Sequence, residues 1–538
     1  MTNDSPKAGS DPPSSAPAKG WAQILKNAAV VGAGTLLSRI AGLVRDQVTA
    51  YCFGASPAAD AFFVAFRLPN LLRRLLAEGA LTPAFVAVFS ERLAQEGQDS
   101  AASLFRSAAT FLGLVLLVVT LLGLWLAPEI ILVMAPGFKA DPARFALATY
   151  LARIVLPYIF FISLTALAMG ALNSLGRFNV PALGPVLLNV AMILGALFIA
   201  PRLSEPIMGL AIGALVGGVL QLAIQLPFLK KAGPFLGLCF NFRDPALKKT
   251  LKLVAPAALG VAAYQISIFV NTQLASLLPD GSVSFLYYAD RLVQFPLGVF
   301  TLALSTAVLP ALAKAKATKA LGEFESVYRS SLGLGFFISL PATIGLMVLA
   351  KDIIALLFER GEFTPAQTAA TAEALWGYAI GLPFLSGVTL TARAYFSLGD
   401  SKTPAKVAAV SLAVGLGFAA LLMWPLKHAG LALASSLASI LNFLWLNRAL
   451  GVRQGYDYWP LFKEIATYVF LALSMGLALF ILGLKLEMAS VSPGLKVLSG
   501  LILGPAFYFS LAIFCQCPHL EFLKKKLKSL RPFKRPKS

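Results

Sequence analysis

Phe111-Leu-Gly-Leu-Val-Leu-Leu-Val-Val-Thr-Leu-Leu-Gly-Leu-Trp-Leu126 is a run of sixteen residues without a charge. Val469 to Leu484 repeats the pattern, and runs of similar length recur along nearly the whole chain, separated by Pro, Gly and short polar stretches. A membrane-spanning helix needs ~20 mostly apolar residues. Of the 538 residues 58% are hydrophobic and 13% charged, against about a quarter charged in a soluble domain. The bilayer is therefore the solvent for most of this chain. Backbone groups in hydrocarbon must satisfy one another, so the spans are helices. A β-barrel would show short strands of alternating polarity, and none is legible. The expected fold class is an all-α polytopic membrane protein of about fourteen spans.

The formal net charge of +20 could suggest nucleic acid, but its distribution points to membrane topology. Lys230, Lys231, Arg243, Lys248, Lys249 and Lys252 crowd the connection after span six. Lys314, Lys316, Lys319 and Arg329 follow span eight, and the C-terminal tail is basic from Lys524 onward. The alternate loops, Cys52 to Ala59 and Pro279 to Ser284, carry no basic residue. Basic loops stay in the cytoplasm, so both termini are expected there, with the tail against anionic lipid. Cys52, Cys239, Cys515 and Cys517 show no metal or disulfide spacing. His428 and His519 are the only histidines. No metal, no cofactor and no nucleic acid partner is expected. Residues 1–20 lack the apolar core of a signal peptide and read as a disordered tail. Residues 21–232 carry spans one to six, 233–248 a basic linker, 249–452 spans seven to twelve, 453–517 two further spans, and 518–538 a basic tail.

The two halves repeat. Ser174-Leu175-Gly176 precedes Pro181-Ala182, and Ser397-Leu398-Gly399 precedes Pro404-Ala405 at the same spacing. Leu156-Pro157 matches Leu382-Pro383, and Arg67-Leu68 matches Arg291-Leu292. Several matches at nearly one offset imply two six-helix bundles of the same topological sense, with a cavity between two lobes that can rock.

Charge inside the spans marks the chemistry. Thr35, Ser38, Arg39, Gly42, Arg45, Asp46 and Thr49 share about a third of the first span's circumference. An unpaired charge at the bilayer centre costs at least ~2.5 kcal/mol, so this stripe must face water or partners. An Arg39–Asp46 ion pair is the bland alternative, and it leaves Arg45 unexplained. The second span reads Asp60, Arg67, Pro69, Asn70, Arg73, Arg74, Glu78. Pro69 kinks it, and helical phase does not choose between Arg73 and Arg74. In the eighth span Ser284 and Arg291 share a face flanked by Tyr287 and Tyr288. Arg153 and Arg393 read as single buried charges, either paired locally or placed at the membrane interface. Arginine grips phosphate through two parallel charge-assisted hydrogen bonds and stays charged when desolvated, so the expected substrate is an anion.

Ser38-Arg39-Ile40-Ala41-Gly42-Leu43-Val44-Arg45-Asp46 resembles the first-helix signature of the MurJ (MviN) lipid II flippases. Ala59 to Arg74 resembles their second helix, as does Ala77-Glu78-Gly79-Ala80. Gln265-Ile266-Ser267 with Asn271, Tyr287-Tyr288-Ala289-Asp290-Arg291-Leu292 and Lys427-His428-Ala429-Gly430-Leu431 extend the likeness from Trp21 to the last span. The resemblance implies the multidrug/oligosaccharidyl-lipid/polysaccharide exporter fold, two six-helix lobes in a V, with helices thirteen and fourteen forming a lipid-facing groove. It implies flipping of lipid II, undecaprenyl diphosphate bearing the peptidoglycan disaccharide-pentapeptide, across the bacterial cytoplasmic membrane for cell-wall synthesis. Other cell-wall synthesis proteins and membrane lipids are its expected partners. By motif, Arg39, Arg45, Arg73, Arg291, Asn70 and Ser284 are implied to bind substrate, with Asp46, Asp60, Glu78 and Gly42 in supporting or gating roles. The resemblance thus selects Arg73 over Arg74. Gln294 stands where some relatives carry an acid. The absence of any acid between Lys252 and Asp280 departs from members with a sodium site in helix seven. Rival readings are a flippase for another polyprenyl-diphosphate-linked glycan, a membrane enzyme using Asp280 or Glu362, and a scaffold whose arginine stripe is closed to water.

Overall fold

The computed structural model describes residues 16–73, 81–318 and 321–520. Among these the chain is helical without strands. Arg74 and Glu78 lie outside the described residues, as do Lys319 and the basic tail from residue 521. The first half comprises α1 (Ala16–Phe53), α2 (Pro57–Leu72), α3 (Thr82–Glu96), α4 (Gln98–Trp125) and α5 (Ala127–Met134). It continues through α6 (Pro142–Val155), α7 (Tyr158–Ser174), α8 (Asn179–Leu194), α9 (Ile207–Ala223) and α10 (Leu226–Lys230). The second half holds α11 (Pro245–Ser276), α12 (Ser282–Pro296), α13 (Leu302–Ala317), α14 (Leu321–Val348) and α15 (Ala350–Phe358). It ends with α16 (Pro365–Ala379), α17 (Leu382–Ser397) and α18 (Lys402–Gln454); α19 (Trp459–Met488) and α20 (Pro493–Phe514) follow. Since α1 begins at Ala16, residues 16–20 are helical, where a disordered tail was expected. Likewise Cys517 and Leu520 pack into a core cluster with α14 and α19, so the expected basic tail is folded in as far as residue 520.

Local chemistry sets the boundaries. Ser56 caps α2 by accepting from the Ala59 N–H at 3.2 Å, with Pro57 opening the helix. Asp141 and Asp244 do the same for α6 and α11, and Thr364 with Gln367 forms a capping box on α16. Among the described residues ten helical segments, some of them two consecutive helices such as α6 with α7, are long and apolar enough to cross a bilayer. One of these, α18, is two helices. Lys427 has φ 50° and ψ −132°, and a methyl on Gly415 would meet Ala438, which a straight helix would hold about 34 Å away. The chain therefore doubles back. α1 and α11, at 38 and 32 residues, are also long enough to span. The expected second span includes residues 74–80, outside the description.

The repeat read in the sequence has a packing counterpart. α1 packs on α8 and α11 on α18; α2 packs on α6 and α12 on α16; α3 packs on α7 and α13 on α17. Each half thus packs within itself; the halves meet at the end of the bundle that carries the α1–α2 turn and again where α11 crosses to α3, with Arg92 on Asp244 at 2.6 Å and Lys249 on Glu91 at 2.7 Å.

That seam is polar and tight. Asp60 at the start of α2 is fully buried. Its carboxylate accepts the backbone N–H of Gly281 and of Ser284, each at 2.8 Å, and the Ser284 hydroxyl. One half thereby caps the N-terminus of α12 in the other. Arg144 of α6 binds Asp60 at 2.6 Å and Asp280 at 2.5 Å. Alongside, the Glu362 N–H donates to Tyr51 O at 2.9 Å and the Ala55 N–H to Gln367 Oε1 at 3.0 Å. Gly281 sits at φ 85°, and a Cβ there would strike Ala55 O; this close approach requires glycine. Ser284, expected to bind substrate, is wholly buried in this seam. Asp280, the acid offered for an enzyme reading, is engaged by Arg144.

Asp60→Ala strips α12 of its cap and leaves Arg144 half-paired. Breaking a buried charge pair costs ~3–5 kcal/mol, enough to part the seam. Spin labels on Ala140→Cys and Ala366→Cys, both exposed beside it, should report a longer, broader distance in Asp60→Ala than in the parent. An unchanged distance distribution would count against the seam as the latch.

Candidate functional site: an arginine-lined cavity

Away from the seam the halves enclose a cavity of about 1810 Å³. Its charged wall comes from three helices: Arg39, Arg45 and Asp46 of α1, Arg67 of α2 with Arg73 just beyond its end, and Asp290 and Arg291 of α12. Among the described residues, five arginines against two aspartates leave a formal +3 facing the space. Asn70 and Gly42 also line it.

Arg45 is buried at the apex of this wall. It donates through Nε and Nη2 to Asp46 Oδ1 at 3.1 and 2.6 Å, through Nη1 to Asn189 Oδ1 of α8 at 3.0 Å, and through Nη2 to the Tyr287 hydroxyl of α12 at 3.0 Å. Tyr287 donates to Asp46 Oδ1 at 3.0 Å and accepts from Arg291 Nη2 at 3.0 Å. Arg291 Nε lies 3.5 Å from Asp46 Oδ2. A single carboxylate therefore holds two guanidinium groups from opposite halves. The Tyr287 ring is fixed by stacking on Phe63 at 4.0 Å and lies under Arg291. Arg67 donates to Thr272 of α11, a third tie between halves. Asn189 also donates to Ser38 O at 3.3 Å, so α8 fixes the pitch of α1 beside Arg45.

Arg39 forms no pair with Asp46. Its guanidinium lies on the backbone at Gly298, so closely that a Cβ there would collide with it. Gly298 belongs to a π-helical turn, Leu297–Thr301, that follows Pro296. Such turns disturb the helical hydrogen-bond ladder and gather at functional sites.

The structure brings Arg39, Arg45, Asp46, Asn70, Arg73, Arg291 and Gly42 to one cavity. Asp60 and Ser284 are placed in the seam instead, and Glu78 lies outside the described residues. Gln294 donates to Asp290. Arg153 is exposed on α6 and Arg393 half-buried on α17, so Arg153 is not the buried charge it was read as, and neither lines the cavity. Three contributors were missed. Arg67 had a signal, its match to Arg291 in the repeat. Asn189 and Arg144 had none, since a lone Asn in an apolar span and an Arg beside an N-cap are ordinary. Among the described residues, no group of three or more His, Cys, Asp or Glu could hold a metal ion.

A cavity with surplus guanidinium charge in apolar surroundings binds anions, and planar N–H pairs favour phosphate oxygens. Gly298→Ala should raise helix propensity by about 1 kcal/mol yet displace Arg39. The expected result is an unchanged or higher melting temperature with about tenfold weaker binding of pyrophosphate, measured by calorimetry on detergent-solubilised protein. Equal affinity in parent and variant would deny Arg39 this place.

Residues 49–499 match the family model described as "Lipid II flippase MurJ". The chain is 39% identical over 441 residues, 81% of its own length and 84% of the other's, to a probable lipid II flippase MurJ of Vibrio cholerae serotype O1. It superposes on a solved structure of the lipid II flippase MurJ in an inward closed conformation with TM-score 0.77 and 26% identity, covering 91% of this chain and 99% of that one. A MATE-family multidrug transporter of the MOP superfamily in an inward-facing conformation shares the fold at TM-score 0.64 and 18% identity, over 78% of this chain and 96% of that one. Matched by the family model over most of its length and 39% identical to a relative that it covers to 84%, the chain belongs to the MurJ lipid II flippase family.

Proposed function

We propose that this protein flips lipid II from the inner to the outer leaflet of the bacterial cytoplasmic membrane by alternating access. The observation that carries the reading is a single cavity joining two unlike surfaces. One is the +3 wall of Arg39, Arg45, Arg67, Arg73 and Arg291; the other is an apolar strip from α19 and α20, including Leu479, Leu501 and Phe509. A diphosphate on a long isoprenoid chain presents the matching pair, an anion to grip and hydrocarbon to lay in a groove. In this reading Arg39, Arg45, Arg73, Arg291 and Asn70 meet the headgroup, Asp46 and Gly42 support them, and Asp60 with Ser284 gates from the seam. With both termini in the cytoplasm, the side that basic loops favour, the α1–α2 seam is the extracytoplasmic gate and the cavity faces inward. The lobes are residues 21–232 and 249–452, joined by the basic linker 233–248.

Rescue of cells depleted of their lipid II flippase is the direct test. The parent should restore growth and prevent inner-leaflet lipid II from accumulating. Arg39→Ala should fail, and Arg39→Lys, which keeps charge but loses the planar fork, should rescue partially. Full rescue by both variants would remove Arg39 from diphosphate recognition, and failure of the membrane-inserted parent would remove the function.

The surplus charge also bears on the return step. One elementary charge crossing the full potential is worth ~2.3 kcal/mol per 100 mV. An inside-negative potential therefore draws the emptied, positive cavity back to its inward-facing state, a population shift that needs no bound cation. Collapsing the potential at fixed sodium and pH gradients should halt labelling of externally exposed lipid II. Unchanged export would defeat this coupling, and loss of export on sodium removal alone would require an ion site.

A further inference from the structure

The cavity wall opposite the arginines has a different chemistry. Among the described lining residues from α11 and α14 to α20, none is charged. What polar groups α11 and α18 offer are amides and hydroxyls, among them Asn271, Ser411, Ser435, Ser439 and Asn442. Most of these are satisfied within the protein. Asn271 donates to Ser435 at 3.4 Å, Ser435 to Leu431 O at 3.1 Å, and Ser439 to Ser435 O at 2.9 Å.

Two are not. Ser411 is 2% exposed, yet its Oγ has no partner, and neither has Asn442 Oδ1. A helical serine ordinarily satisfies itself on the carbonyl four residues back, as Ser435 and Ser439 do, so an unpaired Ser411 is the exception on its own wall. Gly415 and Ala438 touch where the arms of α18 fold back, and one turn along the same antiparallel register sets Ser411 opposite Asn442. The close approach that glycine permits leaves these two polar groups at the cavity wall with nothing to bind.

We infer that Ser411 and Asn442 form a subsite for the uncharged N-acetylated sugar of the headgroup, distinct from the arginine site for its diphosphate. The inference rests on the flippase reading. A sugar hydroxyl can donate to Asn442 Oδ1 while an acetamido carbonyl or second hydroxyl engages Ser411 Oγ, satisfying both orphans with neutral groups. Phosphate and the carboxylates of the peptide find no cation on this wall. Hydrocarbon would leave both groups unsatisfied.

The test measures binding of two lipids to the purified full-length protein in nanodiscs: lipid II, and undecaprenyl diphosphate without sugar. The parent should bind lipid II more tightly. Ser411→Ala and Asn442→Leu should each weaken lipid II binding five- to tenfold and leave undecaprenyl diphosphate binding unchanged. Their ligand-free melting temperatures should hold or rise, because an unsatisfied polar group has been removed. Arg39→Ala should weaken both lipids together. Unaltered lipid II affinity in Ser411→Ala and Asn442→Leu overturns the subsite alone. Parallel loss of both lipids with a lowered melting temperature also overturns it, showing a packing role. If the parent itself binds neither lipid, the flippase reading fails instead.

Discussion

The fold is organised around the cost of holding arginine in a bilayer. Each guanidinium left in hydrocarbon costs ~2.5 kcal/mol or more, and five line this cavity. Asp46 carries much of the compensation. Its two oxygens face Arg45 on its own helix and Arg291 across the lobe interface, with the Tyr287 hydroxyl between them. Because one carboxylate serves both lobes, α1 and α12 converge where it sits. Asn189 on α8 and Phe63 on α2 then hold its partners in place.

α12 carries a second constraint two turns earlier. Its N-terminus is capped by Asp60 from the other lobe, and Arg144 closes that contact from α6. The two polar assemblies thus share one helix. Arg45 and Arg291 both reach the Tyr287 hydroxyl, on the helix whose cap forms the seam. Below the arginines the same helix passes Pro296 into a π-turn whose glycine leaves room for Arg39. Cap, arginine cluster and π-turn succeed one another along a single segment of chain, so a shift of α12 is felt at all three.

Much of this was legible in the residues. Apolar runs fix helices that span, since no other backbone arrangement satisfies its hydrogen bonds there. The Arg39–Arg45–Asp46 stripe had to face something polar, and it does. The alternative of an Arg39–Asp46 pair is not realised, because Asp46 has nearer partners in Arg45 and, through the fold, Arg291. Ser284 shows the opposite failure. Its helical phase beside Arg291 suggested a common surface, but the turn at Gly281 carries it into the seam. Phase gives direction around a helix and says nothing of where along the helix a partner begins.

The sequence by itself determined that this chain lives in a membrane, that it repeats, and that its first two spans and its eighth carry charge that cannot face lipid. These follow from transfer free energies, which depend on residue type and local period alone. Only the tertiary structure decided which carboxylate meets which arginine, that Arg144 and Asn189 join the polar assemblies, and that Gly298 gives Arg39 its place. Those are contacts between residues far apart in the chain, from Arg45 to Tyr287 and from Asp60 to Ser284. They exist because helix packing brings the atoms within about 3 Å of one another, a distance that no local pattern encodes.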